Sequence, residues 1–258
     1  MKLTHEPLII GNWKMHPQSE ALAKRLALDL KKALARLDGV DVVIAPPSIF
    51  ISAVHAARTS ARAFKMGAQN VHHEALGAFT GEVSIPMLKS FDVTHVIIGH
   101  SERRKGGETD VDVHAKLTAV IKAGLTAVVC VGETKRDHGA QYLGDIERQI
   151  REAVKGLSRA KLGNLVIAYE PVWAIGTGNT ATPDDVHEMK LFILKTLSDL
   201  YGRNYAQKVR VLYGGSVNPK NAGEIMKEGM VDEFLVGGAS LNAKDFTGII
   251  VAARQLRR

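Results

Sequence analysis

Short apolar runs alternate with longer amphipathic stretches along the whole chain. The runs are rich in β-branched residues and mostly lack polar alternation, which is typical of strands buried on both faces of a parallel sheet. They cover residues 8–10, 42–45, 64–68, 95–98, 127–131, 165–169, 209–213 and 234–236. The pattern therefore predicts a strand at each run and a helix or loop between one strand and the next.

The segments between the predicted strands carry helix signals. A first helix is predicted from about Ser19 to a left-handed C-terminal cap at Gly39. Its apolar face is expected to consist of Leu22, Leu26, Leu30, Leu34 and Leu37. A later helix is predicted to begin at Thr182-Pro183-Asp184-Asp185, which supplies a capping side chain, an early proline and negative charge. Asn218-Pro219 and Asn242 resemble further helix starts.

Strand and helix alternate eight times without a break in composition. This favours an α/β fold in which a closed, parallel eight-stranded sheet is surrounded by helices, a (β/α)₈ or TIM barrel, over an open doubly wound sheet. The 258 residues match the usual size of one such barrel, so a single domain over residues 1–258 is expected. A barrel of this kind carries its chemistry just past the C-terminal ends of the strands.

Composition and charge narrow the function class. The formal net charge of +7 comes from 34 basic and 27 acidic residues, and the basic residues are dispersed along the chain. This pattern suits an enzyme for anionic substrates and argues against nucleic acid as a partner. The sole cysteine, Cys130, excludes an intrachain disulfide and is expected to be a small buried hydrophobe. No run resembles a signal peptide or a membrane span, so a cytoplasmic protein without membrane contact is predicted.

Polar and glycine residues follow five of the predicted strands. They are Gly11-Asn12-Trp13-Lys14, Gly99-His100-Ser101-Glu102-Arg103-Arg104, Glu170, Gly214-Gly215-Ser216 and Gly237-Gly238-Ala239-Ser240. Glu170 precedes a loop in which Trp173 and Ile175 stand between turn residues, as expected of a lid. A carboxylate under such a lid is a candidate general base, because exclusion of water makes it more basic. The alternative is that Glu170 only ends a strand and faces solvent.

The two glycine pairs after the last strands allow backbone N–H groups to approach a ligand closely, and a barrel often binds phosphate at this place. Each pair alone is more often an ordinary tight turn, but their joint placement favours a phosphate site. Lys14 alone would be a surface lysine and His100 a hydrogen-bonded core histidine. A histidine that opens a helical turn is different, because the helix N-terminus disfavours the imidazolium. The neutral ring can then donate a hydrogen bond to a carbonyl oxygen.

Other catalytic motifs are excluded. The segment around Ser101 lacks the second glycine of a nucleophile elbow, so Ser101 is expected to be structural. His73-Glu74-Ala75-Leu76-Gly77 lacks the second histidine of a zinc protease, and no Gly-x-x-x-x-Gly-Lys-Ser/Thr phosphate loop occurs.

Taken together, these segments resemble the triosephosphate isomerase family from end to end. The matching motifs are Gly11-Asn12-Trp13-Lys14, Gln69-Asn70, Gly77-Ala78-Phe79-Thr80-Gly81-Glu82, Gly99 to Arg104, Tyr169-Glu170 to Gly178, Tyr213-Gly214-Gly215-Ser216-Val217 and Leu235 to Ser240. The resemblance implies an isomerase that interconverts dihydroxyacetone phosphate and D-glyceraldehyde 3-phosphate through an enediolate, in glycolysis and gluconeogenesis. It implies no metal and no organic cofactor.

The resemblance also implies roles for individual residues. Glu170 would move a proton between C1 and C2 of the substrate, and His100 would be the neutral electrophile at the carbonyl oxygen. Lys14 would supply positive charge, with Asn12 hydrogen-bonding beside it. The substrate phosphate would be bound by Gly176, Ser216, Gly237 and Gly238, mainly through N–H groups. The lid, its latch and its cover over Glu170 would be formed by Trp173, Ile175, Thr177, Tyr213, Ser216 and Leu235.

Members of this family are typically homodimers, which implies that a loop over residues 67–82 reaches into the partner subunit and that Thr80 approaches the partner's active site. The alternative for this loop is an ordinary turn-rich connection. Two other functions stay open at this point. One is a different barrel enzyme of phosphorylated sugars, which would keep the phosphate site without needing Asn12, Lys14, His100 and Glu170 together. The other is a non-enzymatic basic binding protein.

Overall fold

The predicted strands all form, and they close into a parallel barrel in the order of the chain. A computed structural model of the protein describes residues 6–35, 37–58, 63–137, 139–174, 180–231 and 233–255. The strands are β1 (Leu8–Asn12), β2 (Asp41–Ala45), β3 (Lys65–Ala68), β4 (Val93–Ile98), β5 (Thr126–Val131), β6 (Leu165–Tyr169), β7 (Arg210–Tyr213) and β8 (Phe234–Val236). Their ends differ from the predicted ends by two residues or fewer.

The first and last strands close the barrel by pairing Ile9 with Phe234 and Gly11 with Val236. Side chains alternate between the barrel interior and the surrounding helices, because successive residues of a strand point to opposite faces. The interior cluster consists of Leu8, Ile10, Val43, Ala45, Ile97, Val128, Cys130, Val166, Ala168, Leu212 and Leu235. Both faces are thus apolar, which is why the strands lack polar alternation in the sequence.

Helices fill the connections between successive strands. Their bounds are α1 (Glu20–Leu34), α2 (Ile51–Arg58), α3 (Ile85–Lys89), α4 (Ser101–Lys105), α5 (Asp110–Lys122), α6 (Tyr142–Ala153), α7 (Pro183–Tyr201), α8 (Arg203–Ala206), α9 (Ala222–Glu228) and α10 (Ala243–Gln255). Within the described residues, none of these helices is long and apolar enough to cross a membrane.

The predicted apolar face of α1 and its predicted end were partly wrong. Leu30 and Leu34 are buried, but Leu22 is 56% exposed, and in the first two turns the buried residues are Ala23 and Ala27. The small alanine side chains let the helix backbone approach the barrel closely, so the buried stripe is rotated from the leucine stripe. The helix ends at Leu34, and the positive φ of 76° at Gly39 belongs to the turn before β2.

The predicted start of α7 is confirmed. Thr182 caps the helix by accepting from the N–H of Asp185, and the Asp185 carboxylate accepts from the N–H of Thr182. Asn242 likewise accepts from the N–H groups of Lys244 and Asp245 at the start of α10. At α9 the helix begins later than predicted, because Asn221 rather than Asn218 is the residue before its first turn.

Candidate active site

The proposed base and the proposed electrophile are in direct contact at the C-terminal edge of the barrel. Glu170 follows β6 and is 2% exposed, and its Oε1 lies 2.9 Å from Nε2 of His100, which follows β4. Its Oε2 accepts a 2.8 Å hydrogen bond from the N–H of Ser101, whose hydroxyl is 3.3 Å from Oε1. Glu170 therefore does not face solvent, and both of its oxygens have defined partners.

The hydrogen bonds of His100 define which ring nitrogen carries a proton. His100 is the capping residue of α4, and its Nδ1 accepts from the N–H of Glu102 at 3.2 Å. Because Nδ1 is the acceptor, the proton of a neutral ring must be on Nε2. That N–H now points at Glu170 and is the donor that the ring can offer to an acceptor oxygen.

Lys14 is held in place through its backbone and its ammonium group. Its φ of 51° is unusual for a residue other than glycine. The Asn12 side chain accepts from the Lys14 N–H at 3.0 Å, and Gln69 donates to the Lys14 carbonyl at 2.9 Å. The ammonium lies 2.7 Å from Oε1 of Glu102. Burial alone would raise the pKa of Glu102, but the hydrogen bond and charge of Lys14 together with the nearby His100 lower it, which favours the carboxylate form of Glu102.

The ends of β1, β4, β7 and β8 surround one cavity. Its lining includes Asn12, Lys14, His100, Ser216, Leu235, Gly237 and Gly238, all of them residues that the sequence analysis had singled out. Gly238 also begins a short 3₁₀ turn, Gly238–Leu241, whose first N–H groups have no helical carbonyl to bind. N–H groups of this kind beside a lysine ammonium suit an anion such as a phosphate group.

Glu170 lines a neighbouring cavity together with Ser101 and Gly132. Its contacts with Ser101 hold the carboxylate on that side of His100. Glu170 therefore lies beside the cavity of Lys14 and Ser216 rather than among its lining residues.

The structure describes part of the predicted lid and latch. Trp173 is half-buried, and its Nε1 donates to Oε1 of Glu133 at 2.7 Å. Tyr213 is buried under Gly215, where a Cβ atom would lie 2.2 Å from the Tyr213 hydroxyl, so this position requires glycine. Leu235 points into the barrel interior. Ile175, Gly176 and Thr177 lie outside the described residues, and their roles stay predictions.

Thr80 is exposed on the loop between β3 and α3. Residues Gly81 and Glu82 of that loop line a further cleft, which also includes Asn12, Lys14 and Glu102. The loop and the proposed active site thus border the same space.

Sequence reasoning missed several residues that contact the site. Gln69 and Ser101 lie inside recognised motifs, but their hydrogen bonds to Lys14 and Glu170 were not expected. Glu133 and Gln149 were not considered at all. The position of Glu133 just after the end of β5 could have identified it. The other candidate residues were found because they follow the C-terminal ends of strands.

A closed parallel barrel whose strand ends bring a carboxylate, an imidazole and an ammonium beside an anion cavity defines a (β/α)₈-barrel enzyme of the acid–base type. Comparison with known proteins narrows this class. The family model described as triosephosphate isomerase matches residues 7–253. The chain belongs to the triosephosphate isomerase family.

Individual relatives agree with the family match. A triosephosphate isomerase from Moorella thermoacetica is 48% identical over 249 residues, which are 95% of this chain and 97% of the relative. Relatives of the same name from Chloroflexus aurantiacus and Syntrophotalea carbinolica are 47% and 45% identical, each over 95% of this chain and at least 97% of their own length.

Proposed function

We propose that this chain interconverts dihydroxyacetone phosphate and D-glyceraldehyde 3-phosphate by proton transfer through an enediolate, as a step of glycolysis and gluconeogenesis. The observation that carries the proposal is the 2.9 Å contact between the Glu170 carboxylate and His100 Nε2 beside the cavity of Lys14 and Ser216. Family membership gives the substrate, and the geometry supports a role for each group.

Glu170 acts as the base. It takes a proton from C1 of dihydroxyacetone phosphate and returns one to C2, while the proton of the C1 hydroxyl passes to the former carbonyl oxygen at C2. To do so the carboxylate exchanges its hydrogen bonds with Ser101 and His100 for contact with the substrate. The Nε2 proton of His100 is then free to hydrogen-bond the substrate carbonyl oxygen, which becomes the oxyanion of the enediolate.

Lys14 and Asn12 stabilise the charge that develops. The ammonium of Lys14 is fixed by Glu102 and by its own unusual backbone, so little reorganisation is needed during the reaction. Ser216, Gly237 and Gly238 line the same cavity as Lys14 and bind the phosphate there. These groups require no metal and no organic cofactor for the chemistry that we assign to them.

We also propose that the protein is a homodimer. Large apolar side chains are exposed on the segments that border the cleft of Lys14 and Glu82, and a partner subunit would cover them. They are Met15, Ile49, Leu76, Phe79 and Met87. Thr80 would then lie near the partner's active site. We further propose that the chain forms a single catalytic domain. We also propose a cytoplasmic location, which the free thiol of Cys130 supports.

The test combines two readouts on one substrate in D₂O. The enzyme that we propose exchanges a C1 hydrogen of dihydroxyacetone phosphate for deuterium and also forms glyceraldehyde 3-phosphate. A different barrel enzyme of phosphorylated sugars would fail to form that product, and a binding protein would give neither signal. Absence of the product at any enzyme concentration contradicts the proposal.

A further inference from the structure

The loop between β5 and α6 lies directly behind Glu170. The N–H of Glu170 donates to the carbonyl of Val131 at 2.8 Å, which continues the pairing of β5 with β6 by one residue. At the next position, a Cβ atom on Gly132 would lie 2.0 Å from the Glu170 carbonyl oxygen. The backbones of Gly132 and Glu170 are therefore packed against each other, and a shift of Gly132 has to move Glu170.

Gly132 is itself held by one side chain from α6. Gln149 is 6% exposed, its Oε1 accepts from the Gly132 N–H at 2.9 Å, and its Nε2 donates to the Gly132 carbonyl at 2.9 Å. The amide pairs with both backbone groups of one residue, as a neighbouring strand would. Two opposed hydrogen bonds fix the orientation of Gly132, because a rotation that keeps one of them breaks the other.

An apolar side chain of similar size could fill the space of Gln149. It would leave the N–H and the carbonyl of Gly132 without these partners, and buried polar groups without partners are costly. The specific contribution of Gln149 is therefore the placement of Gly132 rather than the filling of volume.

The residue after Gly132 holds the segment on both sides of Glu170. Oε1 of Glu133 accepts from the Tyr169 hydroxyl at 2.8 Å and from Trp173 Nε1 at 2.7 Å. Burial and the neighbouring Glu133 charge raise the pKa of Tyr169, so its hydroxyl keeps its proton and stays a donor. Because this loop contacts residues 169, 170 and 173, a displacement of the loop also displaces Glu170.

We propose that Gln149 is a positioning residue for Glu170: through its two hydrogen bonds to Gly132 it fixes the backbone from which the carboxylate reaches Ser101 and His100. The inference rests on the proposed role of Glu170 as the base. Gln149 lines the neighbouring cavity with Glu170, and Lys14 borders both cavities. Gln149 is not among the residues that line the cavity of Ser216 and Gly237, so the proposal separates placement of the base from binding of the phosphate.

The expected effect is on kcat and not on KM. A displacement of a reacting group by about 1 Å can cost on the order of 100-fold in rate. We expect Gln149→Met to lower kcat by about 10-fold to 100-fold, while KM for dihydroxyacetone phosphate and competitive inhibition by inorganic phosphate change by less than about twofold. Gln149→Asn keeps the amide but is one carbon shorter, and it should show the same pattern more weakly.

The control is Tyr205→Phe. It removes the buried 2.9 Å hydrogen bond that the Tyr205 hydroxyl donates to the Leu162 carbonyl, which lies before the start of β6, whereas Glu170 follows its end. It should lower the melting temperature and leave kcat unchanged. The proposal is overturned if either Gln149 variant loses stability while keeping its kcat, or if phosphate inhibition weakens as much as kcat falls. Failure of both variants to fold would assign Gln149 to the fold and would also overturn it.

A double-mutant cycle with Glu170→Asp gives a readout that a purely structural role would not change. Shortening the base already misplaces the carboxylate, so the effects of Gln149→Met and Glu170→Asp on kcat should be non-additive by at least about threefold. Additive effects contradict the proposal. If Glu170→Asp alone leaves kcat intact, the assignment of the base fails, and this outcome is distinct from a failure of Gln149.

Discussion

Lys14 shows how a single residue combines an unusual backbone with a half-buried charge. Asn12 and Gln69 hydrogen-bond the backbone of Lys14 around its positive φ, and Glu102 pairs with its ammonium. We expect Lys14→Met to weaken inhibition by inorganic phosphate by about 10-fold to 100-fold, the size of one charge-assisted hydrogen bond. The value of kcat should fall as well, with an unchanged circular dichroism spectrum.

The matched control for Lys14 is Lys24→Met, which removes an exposed lysine paired with Glu20 on α1. It should change neither quantity. Unchanged phosphate inhibition in the Lys14 variant would remove Lys14 from the phosphate site.

A second residue, His95, gives the protein a defined dependence of stability on pH. It lies on β4 and is 7% exposed, and burial lowers its pKa from 6.5 to about 4. The cations of Lys65 and Arg210 act in the same direction, while Asp41 opposes them. The unfolded chain therefore binds a proton below pH 6.5 that the folded protein excludes down to about pH 4.

The stability contributed by a neutral His95 is present above pH 6.5 and is lost as the pH falls toward 4. Between pH 7 and pH 5 this loss amounts to about 2 kcal/mol. The His95→Gln variant lacks the titrating group. When the pH is lowered from 7 to 5, the free energy of unfolding measured in urea should therefore decrease less in this variant than in the wild type, by about 2 kcal/mol. An identical pH dependence in both proteins would show that His95 is not the group responsible.

The residues that the sequence identified are those adjacent to strand ends. Asn12, His100 and Glu170 follow apolar runs directly, so the position of the strand predicts the position of the side chain. Gln149 could not be found in this way, because it sits in the middle of a helix and its partners are backbone atoms of Gly132. Backbone partners leave no pattern of residue types in a sequence.

At the scale of elements, the strands were predicted almost to their ends, whereas the buried face of α1 was not. Strands with two apolar faces give a continuous apolar run. A helix at the surface of a barrel shows only one stripe, and leucines on its edge can stay exposed while alanines are buried. Leu22 and Ala23 in α1 are an example.

This difference can be measured on α1. Leu30 is completely buried, and Leu30→Ala should lower the free energy of unfolding by about 2–5 kcal/mol, because it leaves a cavity against the barrel. The same substitution at Leu22, which is 56% exposed, should change it by less than about 0.5 kcal/mol. Similar losses at both positions in urea unfolding would contradict the orientation of the helix.

At the scale of the whole molecule, the barrel brings strand ends from all parts of the chain to one edge, and the loop that carries Thr80 borders the same edge. Removing residues 75–79 from this loop should produce monomers in analytical ultracentrifugation, because the exposed apolar side chains of Leu76 and Phe79 are lost from the interface. We expect kcat to fall at least about tenfold, since Thr80 can no longer support the partner's site.

Leu191→Ser is the control for the dimer, because Leu191 is 53% exposed on α7 and is separate from the cleft of Lys14 and Glu82. This variant should stay dimeric and active. A loop-shortened monomer with full activity would refute the contribution of the loop to the active site.

The central claim is that Glu170 is the base of an isomerase that binds the substrate phosphate with other residues, in the cavity of Lys14 and Ser216 at the same end of the barrel. It is tested most directly by kcat of Glu170→Gln with dihydroxyacetone phosphate, measured together with inhibition by inorganic phosphate. The amide has nearly the same shape but cannot accept a proton from carbon, so we predict a loss of kcat of at least about 10³-fold with phosphate inhibition within about twofold of the wild type. A variant that keeps most of its kcat would contradict the account.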